Sequence, residues 1–369
     1  MSIDRHGRVY FYDQDFDLDW FENLLVAFSD GDPDGNGKMD TIPLGNNNSI
    51  SRNWRTLAGA FGFAWTGNSV YNGELYDYRV NPGLKDMILL LSRWYSMDLI
   101  DKEFVSLPLR KGWEKIVSQS GGAVLEQSTY AGRDGLMDRP PNSFVPEEQL
   151  GMPGAEVVIL PPLVGPAGNQ GTLAYRSVVP SGSYKWFVGA QVKDDAKLAK
   201  ILELFDYSAT EEGWVMWHYG VEGTHFDWEG EAWESQPIPR DSDEWGLGAV
   251  SAYPVMTFPG VVKFNNSAGL TRFFDGVLLD DRGQNWLVKT HRLDIIGETG
   301  LTDVNRQYGA TLKTMFEEFF YRGIVGEIDV ENEWDGYVKS FMENGGEELH
   351  AEIGKAPLVS GLEKGEFVY

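Results

Sequence analysis

The chain has 369 residues, with 31 Lys and Arg set against 56 Asp and Glu for a formal net charge of -25, and it has no cysteine. Its length passes the roughly 250–300 residues at which a single hydrophobic core stops growing, so two lobes are predicted. The negative field excludes nucleic acid and anionic membrane surfaces as partners, and the lack of cysteine excludes disulfides, zinc-thiolate sites and thiol nucleophiles.

In chain order, the opening MSIDRHGRVYFYDQDF has no basic region followed by an apolar one, so an export signal is expected to be absent from this chain. No later stretch approaches the roughly 20 apolar residues that a membrane span needs. Trp20 to Phe28, WFENLLVAF, is apolar at helical spacing and runs into a polar, Gly-rich loop beginning at Ser29. After Pro82 a second helix is predicted, with Leu84, Met87, Ile88, Leu91, Trp94 and Tyr95 on one face. RPPNSFVPEEQLGMP, from Arg139 to Pro153, is rich in Pro and polar residues, and EVVILPPL (156–163) then reads as a buried strand stopped by Pro-Pro. That stretch is the candidate hinge crossing. A third helix is predicted around Leu198, Ile201, Leu202 and Phe205, and a fourth around Leu312, Met315, Phe316, Phe319 and Phe320. A fifth carries Trp334, Tyr337, Val338 and Phe341 and is stopped by Gly345 and Gly346. Alternating strand and helix patterns predict an α/β fold.

The most specific local signal is DGDPDGNGKMDT, from Asp30 to Thr41. Oxygen ligands fall at alternate positions, Asp32, Asp34, Asn36, the Lys38 carbonyl and Asp40, and Gly37 stands where an EF-hand loop turns sharply. A structural calcium ion is therefore predicted, against the alternative of a solvated acidic turn. The twelfth loop position is Pro43 where an EF-hand has a bidentate Glu, so the shell has to be completed by Thr41, water, a bidentate Asp40 or an oxygen from elsewhere.

The 13 Trp, 16 Tyr and 20 Phe are a rich supply of flat rings, which suit the apolar C–H face of a sugar. Trp65 in GFAWTGNS stands in a Gly/Asn loop, which predicts exposure and stacking. Tyr130 follows an apolar strand-like run, and Tyr253 lies in the loop sequence AVSAYPVM. Trp214 and Trp217, at helical spacing, are assigned to the core together with the Phe residues of the fourth helix.

Four stretches, in order, resemble the extracellular solute-binding proteins of family 1, in the long lipoprotein-type branch with alginate-binding and other oligosaccharide-binding subunits. They are DPDGNGKMDTIPL, YNGELYDYRVNPGLKDMILLLSRWYSMDLIDKEF, ILELFDYSATEEGWVMWHYGVEGTHF and EIDVENEWDGYVKSFMENGGEELHAEI, which together run from Asp32 to about Ile353. The resemblance implies a two-lobe, type II periplasmic-binding-protein-like α/β fold whose first lobe is incomplete at the N-terminus. By the family's chain path, 1–155 and 210–369 build the C-terminal-type lobe, and 156–209 crosses the hinge into the other. It also adds Tyr219, Glu222 and His225, on the Gly-flanked turn YGVEGTHF, to the ligand candidates, with Glu222 read first as pinning the turn by bonding backbone N–H groups.

The implied function is capture of an oligosaccharide or other small solute by lobe closure and delivery to an ABC permease, without bond-making. The protein is expected to be a monomer on the extracellular face, either lipid-anchored or periplasmic in its full-length form. The rival readings are a glycoside hydrolase using paired Asp/Glu and a surface-adhesion module. No G-x-S-x-G or H-E-x-x-H sequence supports other hydrolases.

Overall fold

A computed structural model describes residues 15–50, 53–63, 74–108, 120–125, 162–170, 188–208, 220–228 and 301–355, with shorter stretches before and between them. Helix α1 (Leu18–Asp30) begins where the Asp17 carboxylate accepts the Trp20 N–H at 2.7 Å, which satisfies a donor that the helix itself leaves unpaired. It buries Leu18, Phe21 and Leu25. Helix α2 (Pro82–Ser96) starts on a buried Asn81, whose Oδ1 accepts the Gly83 N–H at 2.9 Å, with Pro at the first helical position. Its inward stripe is Leu84, Met87, Ile88, Leu91 and Trp94, as the periodicity predicts. The predicted Tyr95 is only half-buried. Glu22 ties the two helices, accepting from Arg93 Nη2 and from Trp94 Nε1, each at 2.5 Å.

The strands are short. Strands β1 (Ser2–Ile3) and β2 (Tyr10–Phe11) are antiparallel. Strand β3 (Ile42–Leu44) pairs in parallel with β6 (Gly121–Ala123), and a bridge from Leu44 to Ile100 extends that sheet. Both β3 and β6 pack on α1. Strand β7 (Val158–Ile159) lies parallel to β2. A hairpin, β4 (Asn68–Tyr71) and β5 (Glu74–Asp77), precedes α2.

Three helices close the core from the C-terminal side. Helix α4 (Leu301–Ile324) buries Leu312, Phe316, Phe319 and Phe320, and α5 (Val330–Phe341) buries Trp334, Tyr337 and Phe341. Gly345 takes φ +117 in a π-type turn, Met342–Gly346. The predicted stop is thus an interruption, because helix resumes as α6 (Glu347–Ile353). All three join α1 and α2 in one apolar cluster.

Residues 156–209 divide into two parts. Leu163 is buried in that cluster, Leu160 packs against it, and Val164 exchanges backbone bonds with Phe16 and Leu18. Gln170 donates to Asp15 Oδ1 and to the Pro162 carbonyl at 2.7 and 2.8 Å. By contrast, α3 (Asp195–Ser208) contributes no residue to the cluster. Leu202, predicted to face inward, is 48% exposed.

Asp77, Tyr78 and Arg79 join the β-hairpin to α2. The Arg79 guanidinium grips Asp77 through two bonds of 2.8 and 2.9 Å, and the Tyr337 hydroxyl donates to the Arg79 carbonyl at 2.8 Å. Burial pushes the Tyr78 hydroxyl up to about 12, partly offset by Arg79, and burial also raises Tyr321 and Tyr337. An ordinary Tyr ionises near pH ~10. Between that pH and about 12 the unfolded chain loses protons that folded Tyr78 keeps, so folding stability falls as pH rises. Tyrosinate absorbance is expected to appear together with loss of the helical signal in alkaline titration. Ionisation of Tyr78 and Tyr337 at the ordinary pH with the helices intact would contradict this burial.

Candidate functional site

The loop from Gly31 to Thr41 is held at both ends. At its start, Gly31 closes α1 where an added Cβ would lie 2.4 Å from the Ala27 carbonyl oxygen. At its end, the Ile42 N–H donates to the Ser120 carbonyl at 2.8 Å and the Leu44 N–H to the Leu99 carbonyl at 3.0 Å. Between these anchors Asp32, Gly35 and Gly37 take φ of +44, +65 and +80. These left-handed turns coil the chain so that alternate side chains face one another.

Asn36 is at the centre of the coil. Its N–H donates to Asp32 Oδ1 (3.0 Å) and Asp34 Oδ1 (3.2 Å), and the Gly37 N–H donates to Asp32 Oδ2 at 2.9 Å. Asn36 Nδ2 donates to Asp34 Oδ2 at 2.7 Å and to Asp40 Oδ1 at 3.1 Å. The Lys38 N–H donates to Asn36 Oδ1 at 2.8 Å. Three carboxylates thus gather around one amide, whose partly positive NH2 group sits between two of them. Thr41 Oγ1, buried at the last residue of the loop, has no hydrogen-bond partner.

Among the described residues, no three His, Cys, Asp or Glu side chains are grouped closely enough to hold a metal by themselves. The loop nonetheless fits calcium by its donor chemistry. A calcium shell mixes carboxylate, amide and backbone oxygens and does not require three carboxylates alone. The orphaned Thr41 hydroxyl is a further oxygen at the loop's end.

The second candidate region is the turn 220–226. His225 Nδ1 accepts the Val221 N–H at 2.8 Å, and the His225 N–H donates back to the Val221 carbonyl at 2.8 Å. The Gly223 N–H donates to the Phe226 carbonyl, and Gly220 and Gly223 take φ of +83 and +76. His225 therefore pins this turn, leaving Nε2 as its remaining ring nitrogen, while Glu222 is exposed. The turn leads into β8 (Phe226–Trp228), paired with β9 (Pro237–Pro239).

The structure overturns one expectation outright. Trp65 is 2% exposed and packs between Tyr78, Phe316 and Phe320, with ring centroids 5.5 to 5.8 Å away. The Gly/Asn flanks do mark an irregular segment, but the large apolar ring folds under it into the core. Trp65 is thus a core residue and not a stacking surface. Tyr130, Tyr219 and Tyr253 lie outside the described residues, as do Trp214 and Trp217. Sequence reasoning missed the buried amides Asn46 and Asn47, just past β3, and Asn53, at the start of the 3-10 helix Trp54–Phe61. The polar run Asn46–Asn48 directly after an apolar strand was the signal available.

No family model matches the chain. Over 362 residues it is 24% identical to lipoprotein LipO of Bacillus subtilis (strain 168), covering 92% of this chain and 64% of that protein. A polygalacturonan/rhamnogalacturonan-binding protein, YtcQ, of the same organism is 20% identical over 343 residues, covering 92% of this chain and 63% of that one. The chain thus spans less than two thirds of the length of these curated relatives. Among solved structures, the S. pneumoniae ABC-transporter substrate-binding protein FusA in complex with kestose gives a TM-score of 0.66 at 18% identity, covering 95% of this chain and 69% of that one. An EF-hand mutant of FusA gives 0.62, and an alginate-binding protein solved without calcium gives 0.57 at 15% identity, covering 93% of this chain and 68% of that one. The chain carries the fold of the substrate-binding proteins of ABC transporters, the group that its motifs resemble.

Proposed function

We propose that the protein captures an oligosaccharide, or a related small solute, outside the cytoplasm and presents it to an ABC permease without chemical turnover. The observation that carries this reading is the likeness to substrate-binding proteins over 95% of the chain. A lipoprotein relative supports a place on the extracellular face, and no helix among the described residues is long and apolar enough to cross a membrane. The lobe division is proposed as 1–155 with 210–369 on one side and a crossing segment within 156–209, of which 160–170 still packs on the larger core and 195–208 does not. Incubation with oligogalacturonate, kestose and alginate oligomers, followed by chromatography, is expected to return the sugars intact. Shortened products in proportion to protein would overturn the reading.

The loop 32–41 is proposed to hold calcium through Asp32, Asp34, Asn36, the Lys38 carbonyl and Asp40, with Thr41 as a further oxygen. Calcium there would replace the amide bridge between Asp34 and Asp40 and brace α1 against β3. Binding to the folded state alone adds about 2.7 kcal/mol when free ion is 100-fold over Kd. Calcium is therefore expected to raise the melting temperature of chelator-stripped protein, and Asp34→Ala to abolish that rise. Identical melting with and without calcium would rule the site out.

A further inference from the structure

The carboxyl ends of β3 and β6 lie side by side in a parallel pair, and ligands of open α/β sheets gather outside strand ends of this kind. Just past β3 is Asn46, which is 0% exposed. Its Oδ1 accepts the Leu125 N–H at 2.9 Å, and from the other side Asn53 Nδ2 donates to the Leu125 carbonyl at 2.5 Å. The two amides therefore clamp the same residue as the chain leaves β6. The bond from Leu125 also fixes which way the Asn46 amide faces, because turning it over would set two N–H groups against each other.

Held in this way, Asn46 Nδ2 is buried and has no acceptor. A desolvated donor without a partner carries an uncompensated penalty, so a fixed orphan of this kind calls for a reason. We infer that Asn46 is a solute-binding residue, whose Nδ2 donates to a hydroxyl or carboxylate oxygen of the captured sugar at the end of β3. The inference rests on the solute-binding reading above and assigns that reading a specific donor. Because the donor is already stripped of water and its amide is held by the Leu125 N–H, an acceptor that reaches it regains the full bond. Access requires the chain around the strand ends to give way, a movement within the range of hinged binding proteins.

The test compares Asn46→Ala with Asn53→Ala, using kestose, an oligogalacturonate and an alginate trisaccharide as probes in calorimetry, with melting temperature measured alongside. Each variant removes one arm of the Leu125 clamp, so both are expected to melt lower. Only Asn46→Ala is expected to weaken the best probe, by about tenfold, the loss of one good hydrogen bond, whereas Asn53→Ala stays within about twofold. Equal affinity of Asn46→Ala and wild type, or equal losses in both variants, would overturn the inference and leave Asn46 a scaffold residue. In a crystal with the best probe, a water bonded to Nδ2 in place of a sugar oxygen would overturn it as well. If wild-type protein binds no probe, the solute-binding reading itself fails and this assignment fails with it.

Discussion

Trp65→Ala is expected to destabilise the fold by about 3–5 kcal/mol, the range for deleting a large buried aromatic. The ring is 2% exposed and meets Phe63 as well as Tyr78, Phe316 and Phe320, so its loss opens a cavity where the β-hairpin connection packs on α4. Helix α4, which supplies Phe316 and Phe320, is itself packed on α2, which limits how far the cavity can collapse. Denaturant unfolding should show the midpoint falling with little change in slope. A ring that stacked on sugar in a cleft would instead leave stability nearly unchanged and remove affinity. That outcome would restore Trp65 to the binding surface.

Arg79→Ala is expected to cost a similar amount for a different reason. The Asp77 and Arg79 side chains are only 11% and 12% exposed, and the pair is joined by two side-chain bonds and by the Arg79 N–H to Asp77 Oδ1 at 2.9 Å. The guanidinium also lies 5.0 Å from the centre of the Phe341 ring, a favourable place for a cation. Burial lowers the Arg79 pKa, but the hydrogen bond and charge of Asp77 outweigh it and leave a net rise. Removing Arg79 alone strands a buried carboxylate, which typically costs about 3–5 kcal/mol. The double variant Asp77→Asn with Arg79→Ala should recover part of that loss. If the single and double variants are equally destabilised, the cost lies in lost packing and not in an unpaired charge.

The helices were legible because burial on one face writes a period into the sequence. Leu84, Met87, Ile88, Leu91 and Trp94 were read in phase and are buried in phase. The same logic served α4 and α5, whose Phe and Trp stripes meet, with Phe319 stacked on Tyr337 at 4.1 Å. The acidic loop was legible for another reason: alternate oxygens and a left-handed Gly37 are local requirements, and the coil around Asn36 follows from them.

Trp65 was misread because an irregular segment has no period, and nothing nearby in sequence shows that Phe316 and Phe320, about 250 residues away, will cover it. The Leu125 clamp is equally non-local, since Asn46 and Asn53 reach a residue more than 70 positions along the chain. The part His225 plays in its turn was hidden for a subtler reason. The sequence offered Glu222 as the group that pins the turn, but the imidazole folds back on Gly220 and takes the Val221 N–H. The exposed Leu202 shows the converse limit: α3 has a periodic apolar pattern, yet periodicity alone does not say how deeply each position is covered.

The central claim is solute capture, and calorimetric titration of the calcium-loaded chain with kestose, oligogalacturonate and alginate oligomers tests it most directly. The account predicts saturable binding of at least one of these sugars at one site per chain, with a negative heat-capacity change from the apolar surface buried. Titrations that release no binding heat at any temperature, matched by equilibrium dialysis showing each sugar equally distributed across the membrane, would contradict it.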